Sequence, residues 1–483
     1  MTGRDAQLRR LVLGTMLPGF VGTSVPDWVA GAYAAGLRAV CLYGDNVVDA
    51  DQLAALCTQV RAALPDGLVA VDEEGGDVTR LHYRDGSPEP GNALLGRVDD
   101  LGRTRESAVR VAADLLELGI NLDLAPCADI NSADDNPVIG TRSFGGTADL
   151  VSRHTAAWVE GLQSAGVAAC AKHFPGHGDT RSDSHFARPV VPVGLEVLAE
   201  RELAPFAAAA AAGVASVMVA HLVVPAVDPG SPATFSRAVV QGLLRDRLGY
   251  AGVVVTDALD MAGASADIGI PAAAVRSLAA GCDLLCIGPH TSEAQLDEIV
   301  DAVAAAVERD ELPVERVAEA AARVARLAAA YPLPGPGATR TAARPPRDGA
   351  ALVEGFRATP AAHAWLAAPE AAVIVQVGSV ATPAVGTVPW GPAAVGAVTP
   401  LEQVPEGAKV AVVGRAVEAG GPEADIVRTL REAGHRTVLV ECGWPRGDVA
   451  DLVTYGGSRA VGHALADLLL GRTAPDPLPS PGS

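Results

Sequence analysis

Eight short apolar runs, most of them separated by helical stretches, recur through the first two thirds of this chain, and this repetition narrows the choice of fold more than any other feature. The runs cover residues 11–16, 37–43, 68–72, 120–126, 167–173, 216–221, 252–257 and 283–287. Each is too short for a helix of ordinary length and apolar enough to be buried on both faces, as parallel strands are. Between most of them lie Ala/Leu-rich amphipathic segments, for example 104–118, 149–165, 195–212 and 236–248. Strand and helix in alternation predict either a closed (β/α)8 TIM barrel or an open doubly wound sheet. The count and length favour the barrel. Polar residues fall where a barrel would gather them. Asp72, Asp123, Asp129, Lys172, His173, His221 and Asp257 stand at or just beyond the ends of their runs. Strand ends of a barrel converge on one mouth, so residues far apart in sequence become neighbours there.

The 483 residues exceed what one core of about 250–300 residues accommodates. After Tyr331 the composition changes. Residues 332–349 are rich in Pro, Gly and Arg and read as a linker between a barrel over 1–331 and a smaller α/β sandwich over 350–483. The second unit carries apolar runs at 372–377, 408–413 and 437–440 and helical patterns at 423–433 and 459–470. Gly414, Gly420 and Gly421 do not make the Gly-x-Gly-x-x-Gly spacing of a dinucleotide site.

Charge limits the partners. With 37 basic and 57 acidic residues the net charge is −20, which opposes nucleic acid and anionic lipid. No apolar run approaches the ~20 residues of a membrane span, and no signal-type segment is evident, so a cytoplasmic location is the expectation. The seven cysteines sit mostly within apolar runs, lack a Cys-x-x-Cys pair and read as buried thiols in a reducing compartment.

The densest chemistry lies in Lys172-His-Phe-Pro-Gly-His-Gly-Asp-Thr-Arg-Ser-Asp-Ser-His185, which begins at the end of the fifth run. Pro175 and Gly176 break regular structure, placing Asp183 and His185 on a loop. Three readings compete. His173, His177 and His185 could ligate a metal, although Pro-Gly removes the helical spacing such pairs commonly use. The segment could be a solvated loop. Or Asp183 could fix the tautomer of His185 and stabilise its imidazolium, making an acid/base pair.

This segment resembles the Lys-His-Phe-Pro-Gly-His-Gly…Asp-Ser-His signature of the β-N-acetylhexosaminidase branch of glycoside hydrolase family 3, enzymes that recycle cell-wall muropeptides. Other segments resemble the same branch in order. They are Val71-Asp-Glu-Glu-Gly-Gly-Asp-Val-Thr-Arg80, Asn136-Pro-Val-Ile-Gly-Thr-Arg-Ser-Phe-Gly145 and Thr256-Asp-Ala-Leu-Asp-Met-Ala-Gly-Ala264. The resemblance covers roughly residues 10–330. It implies Asp257 as nucleophile of a retaining exo-β-N-acetylglucosaminidase and Asp183–His185 as acid/base. It further implies Asp72, Arg80, Arg142, Lys172, His173 and Met261 as residues holding the sugar. Asp260 is the rival nucleophile, but it lies one turn further into the loop. Glu73 and Asp77 stand where the family's glutamine and arginine do, and are expected behind the main contacts. His221 fits a pocket wall or a satisfied core histidine. The implied chemistry needs no metal and no organic cofactor, and the implied partner is a carbohydrate. Two alternatives stay open: a β-N-acetylglucosaminide phosphorylase using the same residues, and a non-catalytic sugar-binding module.

Overall fold

A computed structural model describes residues 3–184, 188–333, 350–379, 381–473 and 478–479. The first unit is a parallel α/β barrel. Its strands are β1 (Met16–Pro18), β2 (Ala39–Leu42), β3 (Leu68–Val71), β4 (Leu122–Asp123), β5 (Ala168–Phe174), β6 (Ser216–Val219), β7 (Val253–Thr256) and β8 (Leu285–Gly288). The ladder runs in sequence order from β2 to β7, a bridge from Val255 to Leu284 carries it to β8, and β8 pairs with β1. Between β1 and β2 no ladder is formed among the described residues, which leaves one seam in the barrel wall.

Alternation along the strands sorts the core into two layers. Leu17, Ala39, Cys41, Leu68, Ala70, Leu122, Ala168, Cys170, Val253 and Val255 fill the barrel interior, while Val40, Leu42, Val69, Val71, Ala169 and Val254 face the surrounding helices. Small Ala and Cys side chains inside the ring let the opposite walls close on one another. All seven cysteines are buried and free. No described helix is long and apolar enough to cross a membrane.

The first apolar run is not a strand as expected. Residues Gly3–Leu13 form a helix, and the strand begins only at Met16. Leu8, Leu11 and Val12 are spaced to share one helical face, which packs on the core, while Arg9 on another face pairs with Asp297 and Asp301. The other seven runs each contain a strand, shorter than expected at the fourth. There the ladder covers only Leu122–Asp123, and Pro126 further along has no N–H to offer.

The second unit contains a five-stranded sheet built from β9 (Arg357–Ala358), β10 (Val373–Gln376), β11 (Lys409–Gly414), β12 (Arg436–Glu441) and β13 (Leu452–Val453), in the order β9-β13-β12-β11-β10. All pairs are parallel except β9 with β13. Ala411, Val413, Val438 and Val440 face the helix Arg459–Leu469; Val410, Val412 and Leu439 face the helix Pro422–Glu432. The two short strands β9 and β13 had no signal in the sequence, being only two residues long each. Leu94 of the first unit joins the apolar cluster of the second, and Ala93 packs with Ala450, Val453 and Tyr455.

Candidate active site

At the C-terminal mouth of the barrel lies a cavity of about 410 Å³. Its floor and walls bring together Asp72, Arg80, Arg142, Lys172, His173, Asp257 and Met261, residues contributed by four different strand ends and loops. Burying this many ions is costly unless each is answered, and here Lys172 and Arg142 meet carboxylates while Arg80 donates to backbone carbonyls. Lys172 Nζ lies 2.5 Å from Asp72 Oδ1 and 2.8 Å from Glu74 Oε1. Arg142 grips the same Glu74 with two bonds, Nε to Oε2 at 2.9 Å and Nη2 to Oε1 at 2.7 Å. Burial alone would raise the Glu74 carboxyl, but the Arg142 guanidinium and Lys172 ammonium outweigh it and hold it well below the usual range. Burial disfavours the Lys172 cation in the same way, and Asp72 and Glu74 more than restore it.

The lattice continues through His173. Arg142 Nη2 sits 3.3 Å from His173 Nε2, and His173 Nδ1 sits 2.7 Å from Asp129 Oδ2. An arginine can only donate, so Nε2 is the acceptor and the ring proton lies on Nδ1, facing Asp129. Asp129 also accepts from the backbone N–H of His177 at 2.6 Å. Burial pushes its carboxyl up, yet His173 and the loop around His177 bring it down to about 2. Cys127, Asp129 and His173 bring three ligand-type atoms within 4.8 Å of one another. Hydrogen bonds of 2.7 Å and 3.2 Å already join these groups, which fits a polar network better than a metal cage.

The loop after β5 is tied down along its length. His177 is buried with Nδ1 2.6 Å from Thr180 Oγ1 and Nε2 3.3 Å from Ser184 Oγ, and burial brings its pKa down to about 4. The ring is therefore neutral and acts as a rivet between two hydroxyls. This arrangement, with His173 committed to Asp129 and Arg142, spends the nitrogens of two of the three histidines that a metal reading required. Glycine at 178 is imposed by contact, since a Cβ there would overlap the Ile130 carbonyl. Ser184 lines the cavity, and its carbonyl accepts from Gly263 N at 3.2 Å, joining this loop to the one after β7. Asp183 stands beside Ser184, half-buried; His185 lies outside the described residues.

Asp257 follows directly on β7. Its N–H donates to Val219 O at 3.0 Å and its Oδ1 accepts from Ala258 N at 2.8 Å, so backbone contacts on both sides aim the carboxylate. Asp260, the rival nucleophile, also lines the cavity and packs so close to Gly288 that no Cβ would fit there. Met261 is buried against the same wall. His221 is a core histidine, held between Thr234 Oγ1 at 2.8 Å and Ala258 O at 2.9 Å.

Two placements modify the sequence reading. Arg80 reaches the cavity, but its Nη2 and Nη1 donate to the carbonyls of Ala384 and Val385 of the second unit at 2.7 and 3.3 Å. Asp77 bonds across the units too: Oδ1 meets Arg415 Nη2 at 2.6 Å and Gly457 N at 3.1 Å, while Oδ2 accepts from Thr141 at 2.8 Å. Glu73, by contrast, stays behind the cavity and accepts from Arg80 N and Leu81 N. Glu74 and Asp129, which organise the whole mouth, received no role from the sequence. The only signal was their position, Glu74 two residues after Asp72 and Asp129 shortly after the fourth run.

The N-terminal domain of glycosyl hydrolase family 3 matches residues 27–327. The chain belongs to that family. A β-hexosaminidase of Bordetella parapertussis is 40% identical over 280 residues, 56% of this chain and 79% of its own length. β-Hexosaminidase A of Pseudoalteromonas piscicida is 32% identical over 317 residues, 60% of this chain, and the match spans only 53% of that longer protein. Among solved structures, a family 3 β-N-acetylglucosaminidase from a Paenibacillus species superposes with a TM-score of 0.82 at 29% identity, covering 98% of both chains. That superposition extends over both units described above.

Proposed function

We propose that the protein is a retaining exo-β-N-acetylglucosaminidase acting on sugars derived from the cell wall. The observation that carries the reading is the opposition, across one cavity, of the aimed Asp257 carboxylate and the Asp72–Lys172–Glu74–Arg142–His173 lattice. The lattice presents hydroxyl-binding groups already fixed in place, so a sugar ring enters without reorganising them. Asp257 attacks the anomeric carbon as His185, oriented by Asp183, gives its proton to the glycosidic oxygen. The leaving group departs as an alcohol, and a glycosyl ester of Asp257 remains. The imidazole then takes a proton from water as the water displaces Asp257, restoring both groups. The hexosaminidase relatives and the Asp183-Ser-His185 motif support this assignment.

The test is release of 4-nitrophenol from its β-N-acetylglucosaminide, with and without phosphate, with identification of the sugar. Free N-acetylglucosamine at a phosphate-independent rate is expected. N-Acetylglucosamine 1-phosphate at a phosphate-dependent rate would instead make the enzyme a phosphorylase. For the acid, His185→Ala should slow an alkyl glycoside far more than an aryl one, because nitrophenolate leaves without a proton. Equal losses on both would remove His185 from that role.

A further inference from the structure

Asp72, Glu74 and Arg80 reach the cavity from the loop after β3, and Arg142 reaches it from the loop after β4. Asp77 sits between Glu74 and Arg80, in the tight turn closed by the Gly75–Val78 bridge, and joins the two loops. Its Oδ2 accepts from Thr141 Oγ1 at 2.8 Å, and Thr141 is the residue before Arg142. Its Oδ1 is held from the second unit, by Arg415 Nη2 at 2.6 Å and Gly457 N at 3.1 Å. Asp77 stands where the family pattern has an arginine, so the pattern itself does not supply this link. Arg415 is aimed at the carboxylate by its own surroundings. The chain turns at Ala416, in a left-handed conformation with φ +56°, and the buried Glu441 carboxylate accepts from Ala416 N at 3.1 Å and Val417 N at 2.6 Å. The guanidinium lies over Trp390, 4.5 Å from the ring centroid. Gly457 leaves room for it, since a Cβ there would lie 2.5 Å from Nη2.

From this chain of contacts we propose that Arg415, a residue of the second unit, is a positioning residue for sugar binding, acting through Asp77 on the two barrel loops that carry Asp72, Glu74 and Arg142. The inference rests on the glycosidase reading above. The Asp77 side chain is 7% exposed and that of Arg415 16%, so solvent screens the pair little. Without the guanidinium, Asp77 becomes a buried charge answered only by a hydroxyl and a backbone N–H. Such a carboxylate turns toward water or takes a proton, and either change loosens its hold on Thr141. The turn at Asp77 and the segment at Thr141 then lose their common anchor, and with it the register of Arg142 against Glu74. These groups grip the sugar before and during reaction alike, so the loss falls on KM more than on kcat.

The experiment measures KM and kcat for 4-nitrophenyl β-N-acetylglucosaminide in the full two-unit chain. Arg415→Met should raise KM about tenfold with kcat within about threefold of wild type. Asp77→Asn should do the same, and the double variant should be no worse than either single one, because both break one link. Arg415→Lys keeps the charge but not the fork, so its KM should fall between wild type and Arg415→Met; it serves if the methionine variant does not fold. Arg446→Ala breaks the neighbouring ion pair with Glu418, which has no part in the link, and should leave KM unchanged. A lower melting temperature with wild-type KM, a fall in kcat alone, additive losses in the double variant, or an equal rise in Arg446→Ala would each overturn the inference and leave the glycosidase reading standing. A wild-type protein inert to the aryl glycoside would overturn that reading and the inference with it.

Discussion

At the base of the barrel, just before β8, the Asp283 carboxylate is fully buried and shared by three guanidinium groups. Arg245 Nη2 lies 2.6 Å and Arg323 Nη1 3.2 Å from it, Arg316 is bonded as well, and the N–H of Val254 adds a fourth donor at 3.0 Å. At the mouth the numbers are even, with carboxylates from Asp72, Glu74 and Asp129 among Lys172, Arg142 and His173. The base spends every polar atom of Asp283 on the protein itself and closes the barrel between Arg245, β7 and the helix Val314–Ala330. The mouth does not close. The Asp72 side chain keeps 19% of its surface exposed, and Asp257 stays half-buried on a cavity. Buried charge in one molecule therefore does two things: saturated, it locks helices to strands; left partly open, it holds polar atoms ready for a ligand.

That contrast predicts separable failures. The largest effect should come from Asp257→Ala, which removes the proposed nucleophile together with the contact its Oδ1 makes to Ala258 N. Turnover of the aryl glycoside should fall by on the order of 10⁴-fold or more, with the melting temperature nearly unchanged. A variant retaining a tenth of the activity would move the nucleophile elsewhere, Asp260 being the next carboxylate on the cavity. Next in size, Asp283→Ala takes the buried carboxylate from three arginines, of which Arg316 and Arg323 keep Glu319, and should cost about 3–5 kcal/mol in denaturant unfolding, as breaking buried ion pairs does. Its folded fraction should keep the wild-type KM. If KM rises severalfold instead, the base is coupled to the mouth and the two regions are not independent.

Much of this was legible before any coordinates. Short apolar runs announced the strands because a parallel strand buried on both faces has no polar alternation to disguise it, and the residue ending each run fell at the mouth by geometry. Asp72, Lys172, His173 and Asp257 were found in that way, with the family resemblance supplying roles. Asp129 was placed at the mouth in the same way but given no role, and Glu74 was not found, because the importance of both arises from partners distant in the chain: Glu74 meets Arg142 68 residues later, and Asp129 meets His173 44 residues later. Arg80 was assigned to sugar alone because nothing in its own segment signals that a loop some 300 residues on will dock against it. The Gly3–Leu13 helix was misread for a simpler reason, since Leu11-Val-Leu13 is apolar enough for either structure and only the preceding Leu8 betrays the helical spacing.

Glu74→Gln sharpens the comparison from the mouth. The amide keeps the shape but removes the charge that answers two cations, so Lys172 and Arg142 lose their shared anchor. A fall in kcat/KM on the order of 10²-fold is expected, with a loss of stability smaller than that of Asp283→Ala because Asp72 still answers Lys172. Stability lost without any kinetic change would make the mouth lattice structural like the base.

The smallest effect concerns Glu202, a buried carboxylate on neither side of the contrast, packed beneath the β5 loop where a Cβ at Gly176 would strike it. Its Oε1 is 2.6 Å from Arg201 Nε, and Arg201 reaches on to Asp179 of the loop at 2.5 Å, but its Oε2 has no hydrogen-bond partner among the described residues. Burial raises its pKa to about 7, against the opposing pull of Arg201. A carboxyl raised on folding holds a proton in the native state that the unfolded chain has released, so stability must decline as pH climbs from about 4.5 through 7. Glu202→Gln removes that decline. The difference in melting temperature between variant and wild type should be more positive at pH 8 than at pH 5, by a few degrees at most. A difference independent of pH would show that Glu202 is ionised in the native protein throughout, with Arg201 supplying enough compensation to make this corner of the mouth behave like the saturated base.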